Sequence, residues 1–317
     1  MMRPRIQLLF ALVILSLLPS SLAAAQAWVS AKGELSLALR SDYQTAQGVW
    51  HGSDGLIIGL PAQALNSAVS AEYVPIDHLS LGLTLNGNAA RYTGPQSGAN
   101  VAYAHGPHDD GSYHWETTDL DLEAHYQVYD KAVALTPSLH VRIPVTDYVT
   151  TGYAAAGSHL RELGVGFHLG RYGLGLEDLV LQTGYTFTYV QKDTQGGVAT
   201  SQYRVNRSDA DLSLAYVITS KLIAGLGASF RYTHDGFNLE DYPELFALPD
   251  TDPQKQLINF HDPVLQAKYF APAVIASYQI SRAWSVAGRF AAIVWGDNVS
   301  NPISFGLTLG WANNFAD

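Results

Sequence analysis

The chain contains no cysteine among its 317 residues, and its only two methionines stand at positions 1 and 2. The absence of cysteine excludes a disulfide-stapled scaffold, a thiol nucleophile and a cysteine-ligated zinc site. Charged side chains make up only 15% of the sequence, compared with about 25% in average soluble domains. The formal net charge of -10 argues against nucleic acid as a partner, because surfaces that bind nucleic acid are basic.

The sequence also lacks an apolar run long enough to cross a membrane as a helix, which takes about 20 residues. Its most apolar stretch, residues 8–18, follows Arg3 and Arg5 and precedes the small residues Ala25 and Ala27. A basic start, a short apolar centre and a small-x-small site are typical of a secretory signal peptide. We therefore predict a signal peptide over residues 1–27 and a mature, exported chain over residues 28–317.

The rest of the chain alternates apolar and polar residues with a period of two. Leu35, Leu37 and Leu39, for example, alternate with polar or small neighbours, which places the two sets on opposite faces of a strand. The pattern predicts twelve strands, near 30–43, 62–75, 79–92, 117–128, 132–144, 160–170, 179–190, 209–218, 222–233, 266–280, 284–295 and 303–311. Typical lengths of about ten to fourteen residues suit tilted membrane-crossing strands, since globular strands average about five or six.

The connections between these strands alternate in length. Short links are predicted near 76–78, 129–131, 219–221 and 281–283, with a slightly longer one at 171–178, and long links at 44–61, 93–116, 145–159, 191–208 and 234–265, with a shorter final one at 296–302. Short turns on one side and long loops on the other are typical of outer-membrane barrels. We therefore predict an all-β fold, a transmembrane antiparallel up-and-down β-barrel of about twelve strands, with short periplasmic turns and long extracellular loops in the cell outer membrane.

Aromatic residues recur beside the short turns. The residues that share this position are Tyr73, Tyr126, Tyr216, Tyr278 and Trp284. We interpret them as a girdle at the membrane–water interface, in contact with outer-membrane lipid. The alternative is a hairpin repeat that packs a soluble barrel. The girdle is favoured because the other face of the same strands is acidic and could not form a dry core.

Several segments resemble a known family. They are residues 72–82 (EYVPIDHLSLG), 141–148 (VRIPVTDY), 162–166 (ELGVG), 294–298 (VWGDN) and 303–310 (ISFGLTLG). Together they resemble a bacterial outer-membrane family named for the meta-pathway of phenol degradation. The resemblance implies a twelve-stranded barrel that passes small aromatic or other apolar compounds, and it supplies no catalytic or binding residues. Such barrels usually end on an aromatic residue, whereas this chain ends on Asp317; Trp311 or Phe315 would take that part.

If the apolar faces contact lipid, the polar faces line a lumen. The predicted lumen residues are Glu34, Arg40, Glu72, Asp119, Asp121, Glu123, His125, His140, Arg142, Glu162, His168, Asp209, Asp211, Arg231 and Arg289. Both signs of charge occur, so ion pairs could bridge neighbouring strands. Twelve strands enclose a space between that of a filled eight-stranded barrel and an open porin. The lumen is predicted to be a diffusion path, with a polar plug as the alternative.

Two loops stand out among the long connections. His105, His108, Asp109, Asp110 and His114 include metal-ligand types, but their spacing matches no closed zinc pattern and their neighbours are ordinary loop formers, so a solvated loop is favoured. Residues 234–265 are acidic and also carry many apolar side chains. Apolar groups need cover, so part of this loop is predicted to fold over the barrel mouth as a lid, with a mobile adhesion surface as the alternative.

The sequence contains no resolved catalytic apparatus. Ser158 and His159 are adjacent, but no GxSxG elbow occurs, and isolated serine and histidine residues on strands are normally structural. We predict a channel for passive passage of a small, aromatic or apolar solute, with no cofactor, no metal and no enzymatic activity. The alternatives left open are a structural or adhesion barrel without transport and an outer-membrane lipid hydrolase.

Overall fold

The structure, a computed structural model, describes residues 27–51, 55–94, 107–193, 200–238 and 262–314. Within these ranges fifteen strands form one sheet. Twelve are long: β1 Glu34–His51, β2 Gly55–Ile76, β3 Leu79–Tyr92, β4 His114–Tyr126, β6 Ala134–Pro144, β7 Glu162–Tyr172, β8 Leu179–Val190, β9 Arg207–Val217, β10 Leu222–Thr233, β11 Lys268–Gln279, β12 Trp284–Ala292 and β15 Ile303–Asn314. Three are short: β5 Tyr129–Asp130, β13 Trp295–Asp297 and β14 Val299–Ser300.

The long strands close into an antiparallel barrel. Each pairs with the preceding and the following long strand, and β10 pairs with β11 across the longest connection. The first and last strands complete the circle, with Glu34 opposite Asn314 and Thr45 opposite Ile303. The circle of long strands has no open edge, so every long strand has a hydrogen-bonding neighbour on both sides. The prediction of an all-β, twelve-stranded antiparallel barrel is confirmed.

The prediction of a loop over residues 44–61 is wrong. Strands β1 and β2 continue as a paired hairpin as far as His51 and Gly55, with Val49 opposite Ile57. A bulge between Ala46 and Gly48 shifts the register and interrupts the simple alternation on which the strand prediction relied. A Cβ at Gly48 would lie 1.9 Å from the Ile57 carbonyl oxygen, so the close approach requires glycine. The hairpin extends the barrel at its long-loop end.

The described part of the chain holds little helix. One 3-10 turn, Asp262–Val264, precedes β11. No helix in the described ranges has the length and hydropathy needed to cross a membrane.

The two faces of the barrel differ in chemistry. Large apolar side chains point outwards and are exposed, among them Leu39, Val165 and Leu226, while polar or small residues occupy the alternate positions. Buried apolar clusters are small and lie at the long-loop end. One contains Leu160, Val190, Val205, Phe237 and Val264, and the other contains Ala90, Tyr92 and Ala154. The barrel is therefore an apolar shell around a polar interior, which is the inverse of a soluble protein.

Candidate functional site in the barrel lumen

A cavity of about 470 Å³ lies inside the barrel. The predicted lumen residues that line it are Arg40, Glu72, Asp121, Glu123, His125, His140, Arg142, His168, Asp209 and Arg231. Five others lie outside its lining: Glu34, Asp119, Glu162, Asp211 and Arg289. Of these five residues, Glu162 is buried and forms ion pairs with Arg207 and Arg142, and Asp119 accepts a hydrogen bond from Tyr148. Strand alternation thus brings side chains from distant parts of the sequence to one inner surface.

One wall of the lumen carries a series of ion pairs. We call Asp121, Arg142, Glu162, Arg207, Asp209 and Arg231 the charge ladder. At its first end, Arg142 donates to both carboxylate oxygens of Asp121, at 2.7 and 3.0 Å. Asp121 also lies 3.1 Å from His140 Nε2 and accepts a hydrogen bond of 2.9 Å from Asn86. These contacts tie β3, β4 and β6 together.

The second half of the charge ladder crosses β8 and reaches β10. Arg207 donates to both oxygens of Glu162, at 2.8 and 2.6 Å, and its Nε donates to Asp209 at 3.2 Å. Asp209 then accepts a 2.6 Å hydrogen bond from Arg231. Strand β8 contributes only the short threonines Thr186 and Thr188 to the cavity lining. The longer side chains of Glu162 on β7 and Arg207 on β9 can therefore contact each other on the lumen side of β8.

Arg207 is the functional residue that strand prediction missed. It was assigned to a loop over residues 191–208, whereas β9 begins at Arg207 itself. Its side chain bridges Glu162 and Asp209 and lines the cavity. The signal was present in the alternation, because Arg207, Asp209 and Asp211 share one face at a spacing of two.

A second group of ionisable side chains crosses the lumen closer to the short-turn end. We call Glu123, His125, His168 and Asp211 the histidine row. Glu123 Oε2 lies 3.4 Å from His125 Nε2, and the rings of His125 and His168 stack with centroids 5.3 Å apart at an interplanar angle of 14°. Strand β6 runs between the two histidines with Ser138 opposite His125, and this small residue leaves room for the stack.

The wall opposite the charge ladder is built from small residues. Its cavity-lining positions on β1, β2, β3 and β15 include Ser36, Ala38, Ala68, Ser70, Gly82, Thr84 and Thr308. Arg40 and Glu72 are the charged exceptions on this wall, and Arg40 Nε donates to Asp42 at 2.6 Å. Because small side chains occupy little of the interior, the open volume lies on this side of the lumen.

The connection between β6 and β7 folds onto the long-loop mouth. Tyr148 is buried, and its hydroxyl donates to Asp119 Oδ1 at 2.7 Å and accepts from the His159 amide at 2.9 Å. Burial and the hydrogen bond to Asp119 raise the pKa of Tyr148 above its usual value. Val149 bonds Glu116 through its amide, and buried Ala154 packs in the Tyr92 cluster. This connection therefore covers part of the long-loop mouth.

The predicted lid over residues 234–265 is described only at its two ends. Phe237 and Leu265 form a β-bridge, and Phe237 packs with Val264 in the buried apolar cluster. Residues 239–261, which carry most of the acidic and apolar side chains on which the prediction relied, lie outside the described residues. The lid stays a prediction for that segment.

The histidine-containing loop uses its polar groups for local structure. His108 and His114 stack at 4.1 Å, and His114 Nε2 lies 2.9 Å from Asp110 Oδ1, a contact that lowers the pKa of Asp110. Asp109 accepts hydrogen bonds from the amides of Tyr153 and Ala154. Within the described ranges no three potential ligands converge on one point, and His105 lies outside those ranges.

The first described residues enter the barrel at the short-turn end. Ala27 is fully buried, and its carbonyl accepts a 2.6 Å hydrogen bond from Thr136 on β6. The Trp28 ring lies against Tyr172 with centroids 6.0 Å apart. A Cβ on Gly170 would lie 2.6 Å from the same indole, so the missing side chain makes room for Trp28. This segment narrows the lumen below the histidine row.

The predicted girdle residues all lie on the outer surface at one end. Tyr73, Tyr126, Tyr216, Tyr278 and Trp284 are exposed beside the short turns. Trp284 pairs with Trp311 on β15, and Phe315 lies outside the described residues. Further exposed aromatics stand nearer the other end, including Tyr43, Trp115, Phe187, Tyr232, Phe270 and Trp295. Sequence analysis did not identify this second set because it follows no turn.

Ser158 and His159 do not form a catalytic arrangement in the described structure. His159 adopts a positive φ of 55°, and its Nε2 lies 3.1 Å from the Thr146 carbonyl oxygen. The imidazole and the backbone amide of His159 both serve to fold the loop that carries Tyr148. Both polar groups of His159 thus take part in holding this loop in its fold.

Comparison with known proteins identifies solved structures that have a similar fold. No protein-family model and no curated protein sequence matches this chain. Among solved structures, the chain is similar to an outer-membrane channel from Pseudomonas putida F1, with a TM-score of 0.66 and 10% identity over 90% of this chain and 97% of that one. It is also similar to the porin NanC (TM-score 0.48, 10% identity, 87% and 98% covered) and to the porin KdgM (TM-score 0.42, 9% identity, 87% and 98% covered).

At such low identity a structural likeness carries information about fold and not about cargo. The resemblance to the family named for phenol degradation stays a prediction. The fold of this chain is that of an outer-membrane β-barrel.

Proposed function

We propose that the chain is an outer-membrane channel for passive passage of a small solute. Its apolar, exposed outer face suits a lipid environment, and its polar inner face suits water. The short-turn end would face the periplasm and the long loops the exterior. The localisation and the export through the periplasm rest on the predicted signal peptide over residues 1–27.

The observation that carries this proposal is the distribution of charge and volume in the lumen. The charge ladder holds its side chains to one wall through contacts between strands, and small residues line the opposite wall. Charged groups fixed in this way leave the centre free, so that the cavity of about 470 Å³ is available to water and solute.

The lining favours a polar solute over the aromatic or apolar compound that the family resemblance implies. An apolar molecule would displace water from arginine and carboxylate groups and replace none of their hydrogen bonds, which costs free energy. A polar or charged solute can exchange hydrogen bonds with Asp209, Arg231 and their neighbours along the wall.

A closed structural barrel is the second candidate. It is favoured by the two obstructions, Trp28 at one end and the Tyr148 loop at the other. The Tyr148 loop is held by hydrogen bonds to the side chains of Asp119, Glu116 and Asp109, and Trp28 by aromatic contact, whereas the barrel strands are joined by continuous backbone pairing. The two obstructions can therefore move without unfolding the barrel, so that the same arrangement also fits a channel in a closed state.

Single-channel recording tests the proposal. Purified mature protein is reconstituted into planar lipid bilayers, and its insertion is verified in vesicles of the same lipid by protease protection. We expect discrete current steps in KCl. A barrel that is fully inserted and produces no steps at any voltage would favour the closed structural barrel instead. Bilayers treated with the same detergent without protein are the control.

A further inference from the structure

We propose that the channel selects cationic solutes, and that the histidine row is the subsite that receives the cationic group. The inference rests on the proposed channel function and adds a class of solute to it. The group that fits is an ammonium or guanidinium, because it is positively charged and donates several hydrogen bonds.

The first argument is the difference in charge balance between the ladder and the row. In the charge ladder every carboxylate has an arginine partner: Asp121 has Arg142, Glu162 has Arg207 and Asp209 has Arg231. In the part of the chain that the structure describes, neither Glu123 nor Asp211 has a lysine or arginine within ion-pair distance, and Glu123 pairs only with His125. With neutral imidazoles, the row therefore carries uncompensated negative charge.

The inner wall as a whole has the same sign. On the inward positions of the described strands stand five arginines: Arg40, Arg142, Arg207, Arg231 and Arg289. The inward carboxylates outnumber them and include Glu34, Asp42, Glu72, Asp119, Asp121, Glu123, Glu162, Asp209 and Asp211. In a narrow pore with low-dielectric walls, an excess of fixed carboxylates attracts cations and repels anions. The histidine row adds local binding groups to this general preference for cations.

Glycines open the space in which the row converges. On β8, Gly184 lies between His168 and Asp211 in the strand register. A Cβ at Gly184 would lie 2.5 Å from Asp211 Oδ1 and 2.9 Å from His168 Nδ1, so both side chains lean over the glycine. Gly82 provides a similar gap beside Glu123, and Glu123, His125 and His168 line the cavity.

The row also contains polar atoms whose hydrogen bonds are not satisfied within the described structure. They are His125 Nδ1, His168 Nδ1 and Asp211 Oδ2, all buried. Buried polar atoms without a partner cost free energy, so a group that supplies donors gains by binding beside them. An ammonium supplies three donors and a guanidinium five. A chloride ion or a carboxylate supplies none and would also face the charge of Glu123.

The ion selectivity of the reconstituted mature protein tests this assignment. The reversal potential is measured across a KCl gradient, and block of the K⁺ current is measured with spermidine as the cationic probe. We expect K⁺ to be several-fold more permeant than Cl⁻ and spermidine to reduce the current. In the double variant Glu123→Gln and Asp211→Asn, both the cation preference and the spermidine block should fall several-fold.

A matched control neutralises two carboxylates outside the lumen. The double variant Asp77→Asn and Asp130→Asn changes the same total charge at exposed positions in short turns, and it should keep the wild-type reversal potential. Heat-modifiable gel mobility reports whether each variant forms the barrel. If the histidine-row variant does not fold, Asp211→Asn alone replaces it, with a smaller shift expected in the same direction.

The outcomes separate the inference from the proposed function. An inserted barrel without current would overturn the channel itself. A conducting wild type that prefers Cl⁻, or shows no preference, would overturn cation selection and leave the channel standing. A cation preference that survives in the folded histidine-row variant would show that other carboxylates cause it and would remove the subsite.

Discussion

Glu162 is the residue on which the charge ladder depends most. Its side chain is only 3% exposed, and it accepts two hydrogen bonds from Arg207 while lying 3.7 Å from Arg142. Without its carboxylate the guanidinium groups of Arg142 on β6 and Arg207 on β9 would face each other across β7 and β8 with no negative charge between them. The unfavourable part of such a loss is the buried arginine that remains, more than the ion pair that is broken.

We therefore predict that Glu162→Gln destabilises the barrel and leaves one excess positive charge in the ladder. The expected loss in the free energy of unfolding is about 2–3 kcal/mol, below the full value for a dry interior because the lumen admits water. Urea-induced unfolding in lipid vesicles, followed by tryptophan fluorescence, measures this loss.

The matched control is Arg40→Gln, which breaks the pair with Asp42. The Arg40 side chain is 51% exposed, so this change should cost less than about 1 kcal/mol. Equal destabilisation by the two variants would contradict the view that Glu162 organises the ladder.

The connection over residues 145–159 covers the long-loop mouth through contacts outside the strand pairing. Tyr148 anchors it to Asp119, and Asp109 holds its distal part through two backbone amides. These contacts tie the loop to residues far away in the chain. Since they are separate from the pairing of the long strands, the loop can release while the strands stay paired.

We predict that Tyr148→Phe opens the mouth more often. The variant loses a hydrogen bond to a carboxylate, which contributes about 1.5–3 kcal/mol, so the ratio of closed to open states should fall by about ten- to a hundredfold. Single-channel recordings measure this as longer open times. Ser158→Ala, in the same loop, is the control and should leave the open times unchanged. Unaltered gating in Tyr148→Phe would mean that the loop is held by its apolar contacts.

The pH dependence of the hydrogen bond between Tyr148 and Asp119 follows from the raised pKa of Tyr148. A tyrosine with a raised pKa in the folded state stabilises that state fully below the ordinary value of about 10, and its contribution is lost as the pH rises through the folded-state pKa. We expect gating by this loop to be constant from pH 7 to about pH 10 and to weaken only at more alkaline pH. Opening that begins below pH 9 would contradict this anchor.

The segment at the short-turn end is a second obstruction. Trp28 fits beside Gly170 and Tyr172, and the Val29 amide next to it donates to Gln127 Oε1 at 3.3 Å. We predict that deletion of residues 28–32 from the mature chain raises single-channel conductance on the order of twofold, because the indole leaves the lumen. Lys32→Gln, at an exposed position of the same segment, is the control. An unchanged conductance would show that the narrowest point lies elsewhere.

Most strands and their two faces were predictable from the sequence, because a period of two directly encodes which side of a barrel a residue faces. The β1–β2 extension was not predictable, since the bulge at Gly48 breaks the period. The pairing of Glu162 with Arg207 was also not predictable from the sequence. It depends on the register of the strands and on the short threonines of β8, and no local sequence pattern indicates that these features bring the two side chains together. The anchoring of Tyr148 and of Trp28 depends on contacts between distant residues in the same way.

At the scale of the whole molecule, closure explains why the composition is unusual. A barrel needs one apolar residue and one polar residue in turn, so the mean hydropathy of +0.03 is the average of a lipid-facing and a water-facing surface. The charge deficit of the sequence is therefore concentrated on the lipid-facing surface, and many of the remaining charges line the lumen, where those of the charge ladder pair across strands.

We predict that the exported protein begins at Trp28. The small residues Ala25 and Ala27 mark the predicted cleavage site. Intact-mass measurement of protein purified from outer membranes should match residues 28–317. A mass that retains residues 1–27 would contradict the predicted signal peptide.

The central claim is that a charged, water-accessible path runs through this barrel, and the conductance of the purified mature protein in planar bilayers tests it most directly. The account predicts discrete current steps that become larger and longer-lived when the Trp28 segment is deleted or Tyr148 is replaced by phenylalanine. An inserted barrel that stays silent in all three forms would contradict it.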